Sequence, residues 1–256
     1  EDLLGAVRQD LAAFRHLPRS LQADEDIALA AVEAFGEALS HAPQALQEDR
    51  RFVLASMERS DGAAFAYAMS HFRADKEIAL VALERNGLAL EHADAALRAD
   101  REVCLAAVKQ DGRALKHVSA PLKASSTMVL AAVAQRGDAI EYAATKLKAD
   151  ERVVLEAVKQ NGHAFEHAAM HLKGQKKLVL KVVRVSGQAL RYAARILQGD
   201  RVVVLNAVQE SGLALQYAAA PLQADEEIVL CAVAKTSAAF LFAAPALQAS
   251  RDFVLA

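Results

Sequence analysis

Apolar and polar positions along this chain recur with a fixed step. The stretch from Asp150 to Gly174 reads DERVVLEAVKQNGHAFEHAAMHLKG, and steps of 25 residues return it, as DREVCLAAVKQDGRALKHVSAPLKA from Asp100 and DRVVVLNAVQESGLALQYAAAPLQA from Asp200. Such a period is the mark of a repeat array. Repeats begin at Asp24, Asp49, Asp75, Asp100, Ser125, Asp150, Gln175, Asp200, Asp225 and Ser250. Eight of the nine steps are 25 residues and one is 26, with the extra residue near Ser60 and Asp61. A truncated copy carrying Phe14, His16, Leu17 and Leu21 precedes Asp24, so residues 1–256 read as one continuous array of nine full repeats and two fragments.

Within a repeat, Asp or Ser at position 1 is a good N-cap, because its side-chain oxygen accepts from an unpaired backbone N–H of the first turn. Apolar residues follow at positions 4, 5, 6, 8 and 9, as in Val153, Val154, Leu155, Ala157 and Val158. That stripe predicts a helix of about three turns. The helix is expected to stop at Gly36, Gly62, Gly87, Gly112, Gly137, Gly162, Gly187 and Gly212, with the glycine in the left-handed conformation; Ser237 breaks the series. A second, shorter helix follows, as in Ala164-Phe165-x-His167-Ala168. Position 15 is Ala in all nine full repeats, which marks it as the place where neighbours approach most closely. The prolines Pro18, Pro43, Pro121, Pro221 and Pro245 limit the last segment to a turn or a short 3₁₀ piece. One repeat cannot bury so wide a stripe alone, whereas stacked repeats cover one another. The predicted fold is all-α: an elongated α-solenoid of about ten helix–Gly–short-helix repeats of 25 residues, with no strand pattern.

Composition changes the picture little. Apolar content comes from Ala, Leu and Val, and Trp is missing, which suits thin layers of small side chains. No apolar run approaches the roughly 18 residues needed to cross a bilayer, and no signal-peptide pattern opens the chain. The formal net charge of −2 gives no global pull toward nucleic acid or anionic membrane. Cys104 and Cys231 occupy different repeat positions five repeats apart, too far for a disulfide on a rigid rod. This favours a reducing, intracellular compartment, cytoplasm or organelle interior. The chain starts at Glu1 inside a fragment and stops at Ala256 inside another, so a longer array, or ends covered by partners, is expected.

The consensus D-x-x-[IV]-V-L-x-A-V-x-x-x-G-x-A-L-x-[YH]-A-x-x-x-L-K-A resembles a repeat family catalogued only as a domain of unknown function, common in protists and algae, in which two such repeats are counted as one domain. Its looser relatives are leucine-rich-variant and HEAT-type repeats. The resemblance covers essentially the whole chain and implies an α-helical array, with no catalytic residues to carry over. Ser125, Gln175 and Ser237 depart from the pattern.

Several features suggest chemistry. His163, His167 and His171 are spaced by four, as in a helical metal pair. Yet position 18 is His, Tyr or Phe in every full repeat, which explains His167 as part of a half-polar packing ladder. Position 24 is basic through Arg73, Arg98, Lys123, Lys148 and Lys173, a row that either follows phosphates or is a solvated face. From Lys173 to Arg201 eight basic residues face one acid, Asp200, and the set includes Lys176, Lys177, Lys181, Arg184, Arg191 and Arg195. From Gln22 to Glu48 stand Asp24, Glu25, Asp26, Glu33, Glu37 and Glu48 with no Lys or Arg. The last full repeat is apolar throughout, with Phe240, Leu241 and Phe242, and forms either an interface or the seat of a further repeat.

No triad, phosphate loop, metal or cofactor signature stands out. The expected function is a non-enzymatic scaffold for protein–protein interaction, within a longer protein or as a peripheral subunit of a large assembly. The variable positions 7, 10, 11, 14 and 17 would supply the contacts, together with the basic repeat and Phe240–Phe242, and end-to-end association is a further route. The alternative is RNA binding along the position-24 row.

Overall fold

The structure, a computed structural model, describes residues 3–255. Glu1 and Ala256, the two ends from which the sequence suggests a longer array, lie outside the described residues. All regular structure among the described residues is helical, and consecutive elements pack as an all-α repeat solenoid. Contacts divide the chain into two compact units, Glu1–Gln135 and Arg136–Ala256.

Each full repeat carries a ten-residue α-helix, such as Arg101–Gln110 in the first unit and Glu151–Gln160 in the second. The N-cap expectation holds at Asp24, Asp49, Asp75, Asp100, Asp150, Asp200 and Asp225, whose carboxylates accept from the first-turn N–H groups. Gln175 makes no such bond. The predicted second helix is a six-residue 3₁₀ segment, Gly112–His117 or Gly162–His167. Its sequence shows why. The apolar pairs at positions 15 and 18, and at 16 and 19, are three apart, which matches three residues per turn. The last segment, expected as a turn or 3₁₀ piece, is a single α-turn in most repeats, as in Ala120–Lys123 and Thr145–Lys148. Proline fits at its first or second position, where no intrahelical donor is needed.

The glycines carry the main correction. Only Gly62 is left-handed, at φ 79, and it follows Asp61 at φ 49. The 26-residue step places its extra residue near Ser60 and Asp61, just before this glycine. Elsewhere the long helix ends in an extended residue, such as Asn86 or Ser186, and glycine opens the 3₁₀ segment. Glycine is required there because the next repeat lies against it. A Cβ on Gly187 would overlap the carbonyl oxygen of Ala207, and one on Gly87 would overlap that of Ala107. The closest approach is therefore at position 13. The position-15 alanines, from Ala38 to Ala239, are buried beside it.

Repeats are also joined by hydrogen bonds that a single repeat cannot make. In the first unit the Asp94 and Ser119 N–H groups donate to the Arg73 and Arg98 carbonyls at 3.0 and 2.8 Å. In the second unit Ala169, Ala194, Ala219 and Ala244 repeat the bond. Gln110 Oε1 accepts from Gly87 N–H at 2.7 Å while its Nε2 donates to the Arg85 carbonyl. Gln135 does the same for Gly112, and Glu210 accepts from Gly187 N–H. Position 11 in these repeats is thus a clamp between neighbours, where the sequence suggested a variable contact position.

Candidate functional site

The basic repeat rests on the helix Lys176–Val185, which is amphipathic. Leu178, Val179, Val182 and Val183 are buried on one side. Lys177, Lys181 and Arg184, at i, i+4 and i+7, share the exposed side. Lys177 and Lys181 have no counter-ion among the described residues, while Arg184 Nε donates to Asn206 Oδ1 at 2.9 Å.

Lys176 is paired with Asp200 at 2.6 Å. That pair belongs to a series the sequence reading missed. A cation at position 2 meets the N-cap Asp of the following repeat, and often its position-3 acid. Arg50 pairs with Asp75 and Glu77, Lys76 with Asp100 and Glu102, and Arg201 with Asp225 and Glu227. The cations Arg50, Lys76 and Lys176 hold the Asp75, Asp100 and Asp200 carboxyls below the usual range. Asp225 is lowered first by the Ile228 N–H and then by Arg201. Gln175 stands outside the series, with Glu151 in place of a cation at position 2 of the preceding repeat. The signal was legible as a cation followed, one period on, by an acid.

Arg191 lies over the Tyr192 ring, 5.7 Å from its centre, and Arg195 is exposed. Large apolar side chains are also exposed in the second unit: Met170 by 77%, Ile196 by 80% and Leu241 by 74%. Leu241 thus points out as expected, whereas Phe240 and Phe242 are half-buried and the Phe240 ring stacks on Phe253 with centres 6.4 Å apart.

The position-24 row has a structural role in part of its length. Lys123 Nζ donates to the Lys116 carbonyl and Lys173 Nζ to the Glu166 carbonyl, both at 2.6 Å, closing the end of their own 3₁₀ segments. Burial lowers the pKa of both amines. Gln22, Gln47, Gln198, Gln223 and Gln248 stand at the same position and donate in the same way. A neutral amide serves the purpose equally, so the positive charge of Lys123 and Lys173 is incidental to it. Arg73, Arg98 and Lys148 do not follow this pattern.

The histidine spacing loses its helical premise. His163 and His167 sit on a 3₁₀ segment, where residues four apart do not share a face, and His171 lies on the separate helix Met170–Lys173. His163 Nδ1 is 2.8 Å from the Tyr192 hydroxyl of the next repeat. Among the described residues no cluster of three His, Cys, Asp or Glu could hold a metal ion.

In the first unit a cleft of about 680 Å³ opens around the inserted residue. Gly62 and Ala63 line it, with Asp10, Glu37, Tyr67, Glu91 and His92. In this repeat the 3₁₀ segment is the shorter Ala63–Tyr67, which begins after the glycine, a consequence the sequence reading did not draw.

The sequence profile of the family described as a domain of unknown function, DUF4116, matches residues 1–47, 24–73, 75–123, 127–173 and 175–223. The chain belongs to this family. Each match spans two repeats, so one family domain is a pair of the stacked elements described above. No curated protein and no solved structure matches the chain. No helix among the described residues is long and apolar enough to cross a membrane.

Proposed function

We propose that this chain is a non-catalytic repeat module that holds a protein partner on its exposed helix faces, with the cationic stripe of Lys176–Val185 as the principal contact for an acidic segment. One observation carries the reading: Lys177 and Lys181 are exposed without counter-ions on a helix whose opposite face is locked into the core. Charges held on a rigid support lose little conformational freedom on binding, which favours specific recognition. Met170, Ile196 and Leu241, exposed in the same unit, supply the apolar surface that protein interfaces use alongside charge. The turning of Lys123 and Lys173 to carbonyls shortens any row that a nucleic-acid backbone could follow.

The test is a pull-down from nuclease-treated source lysate with the wild-type chain and with Lys177→Glu/Lys181→Glu. Retention of discrete proteins by the wild type, lost in the variant while its helical spectrum and melting are kept, is the expected result. Recovery of nucleic acid from untreated lysate alone, with affinity falling log-linearly with salt, would replace this reading by the RNA-binding alternative.

A further inference from the structure

Arg73 and Arg98, like Lys148 in the second unit, differ from the other residues of the position-24 row. At that position Gln47, Lys123, Lys173, Gln198, Gln223 and Gln248 close a 3₁₀ segment by donating to carbonyls at its end, and Gln22 does the same for the helix Leu11–Arg15. The two arginine side chains make no such bond and lie within ion-pair distance of no carboxylate among the described residues. Arg73 Nε is buried without a hydrogen-bond partner. Buried polar atoms are nearly always paired, so such an orphan calls for an explanation, of which a bound ion is one.

Both arginines line one pocket of about 270 Å³ in the first unit, together with Ser70, His92 and Asp94. The Asp94 carboxylate is already engaged, accepting from the Ala96 N–H at 2.9 Å to cap the next turn. The Asp94 N–H is engaged as well, on the Arg73 carbonyl at 3.0 Å, which fixes the two repeats around the pocket. What is left facing the space is two permanent cations, a hydroxyl and an imidazole against one carboxylate. Guanidinium groups present paired N–H donors that match the oxygens of a tetrahedral or planar oxyanion.

We propose that this pocket, between the repeats that begin at Asp49 and Asp75, binds a phosphate group. Arg73 and Arg98 clamp its oxygens, and Ser70 Oγ and the His92 ring complete the donor set. The pocket exceeds the size of a phosphate ion, leaving room for the carbon that would carry the group. The site is independent of the cationic stripe in the second unit, so either can stand without the other.

The repeat supplies its own conservative control. Gln occupies position 24 in five other places along the chain, so Arg73→Gln and Arg98→Gln are expected to fold with an unchanged melting temperature. The experiment titrates the full chain calorimetrically with inorganic phosphate, with a phosphoserine peptide and with the same peptide unphosphorylated. In parallel the Arg73 Nε–H resonance is followed by NMR. Saturable phosphate binding that shifts the Arg73 Nε–H signal and weakens about ten-fold or more in the double variant is the expected result. Tighter binding of the phosphopeptide than of phosphate assigns the group to a protein side chain; equal binding assigns it to a small ion. No saturable response, or equal binding by wild type and double variant, overturns the proposal.

Discussion

Replacing Gly187 by Ala tests whether these glycines serve close packing or a left-handed turn. A methyl group there would overlap the Ala207 carbonyl oxygen and lie 2.9 Å from Glu210 Oε2 and 3.1 Å from the Ser211 nitrogen, all in the following repeat. Two of the three obstacles are backbone atoms that cannot rotate aside, so the repeats must separate. Overpacking of this kind costs about 1–3 kcal/mol. Separation also weakens the bond from Gly187 N–H to the Glu210 carboxylate, and bonds to charged groups contribute roughly 1.5–3 kcal/mol. Both losses come from one displacement and do not fully add. Removing glycine returns about 0.5–1 kcal/mol through the unfolded chain. The expected net loss is about 2–4 kcal/mol. Gly174 is the control, since a Cβ there meets only the His171 carbonyl at 3.6 Å. Gly174→Ala should be neutral or slightly stabilising. Urea unfolding followed by circular dichroism, compared at a common m-value, measures both. If Gly187→Ala falls within about 0.5 kcal/mol of the wild type, or Gly187→Asn is tolerated as a left-handed cap would allow, the packing account is wrong.

Two further outcomes follow from the charges and the thiols. Asp75, Asp100, Asp200 and Asp225 have carboxyls lowered below their ordinary value, so their contribution to stability is present above about pH 4 and is lost as pH falls below it. A urea midpoint that declines between about pH 4 and 2, less steeply in Lys76→Gln/Arg201→Gln, checks this, and an unchanged slope in that variant argues against the ion-pair series. Cys104 is buried, its Sγ donating to the Arg98 carbonyl at 3.2 Å, and burial pushes its pKa up to about 12. Cys231 is half-buried. A thiol reagent at pH 8 should therefore modify the native chain once, at Cys231, with Cys104 reacting only after denaturant is added; peptide mapping reads the order.

Much of the fold was legible because it rests on pattern. The period, the capping aspartates and the apolar stripe each follow from one residue and its near neighbours, and the long helices appear where that stripe placed them. What escaped the sequence depends on atoms a full repeat away. Gly187 looks like any helix stop until Ala207 is set against it. Lys123 looks like surface charge until its amine is seen on the Lys116 carbonyl, and the glutamines at the same position give the clue, because a purely electrostatic row would not be continued by amides at both ends. Gln110 was taken for a variable contact residue because its partner, Gly87 N–H, lies 23 positions earlier. The departures of Arg73 and Arg98 become visible only after the rule they break is known.

The clamp between neighbours has a bearing on how such a chain can change in length. The backbone bond from one repeat to the next recurs at equivalent positions, so a gene segment encoding whole repeats can be duplicated or deleted and both new seams will still find that partner. A single inserted codon has no such protection. The turn at Asp61 and Gly62 accommodates the one extra residue of the array, and a cleft of about 680 Å³ lined by Gly62 and Ala63 lies beside it.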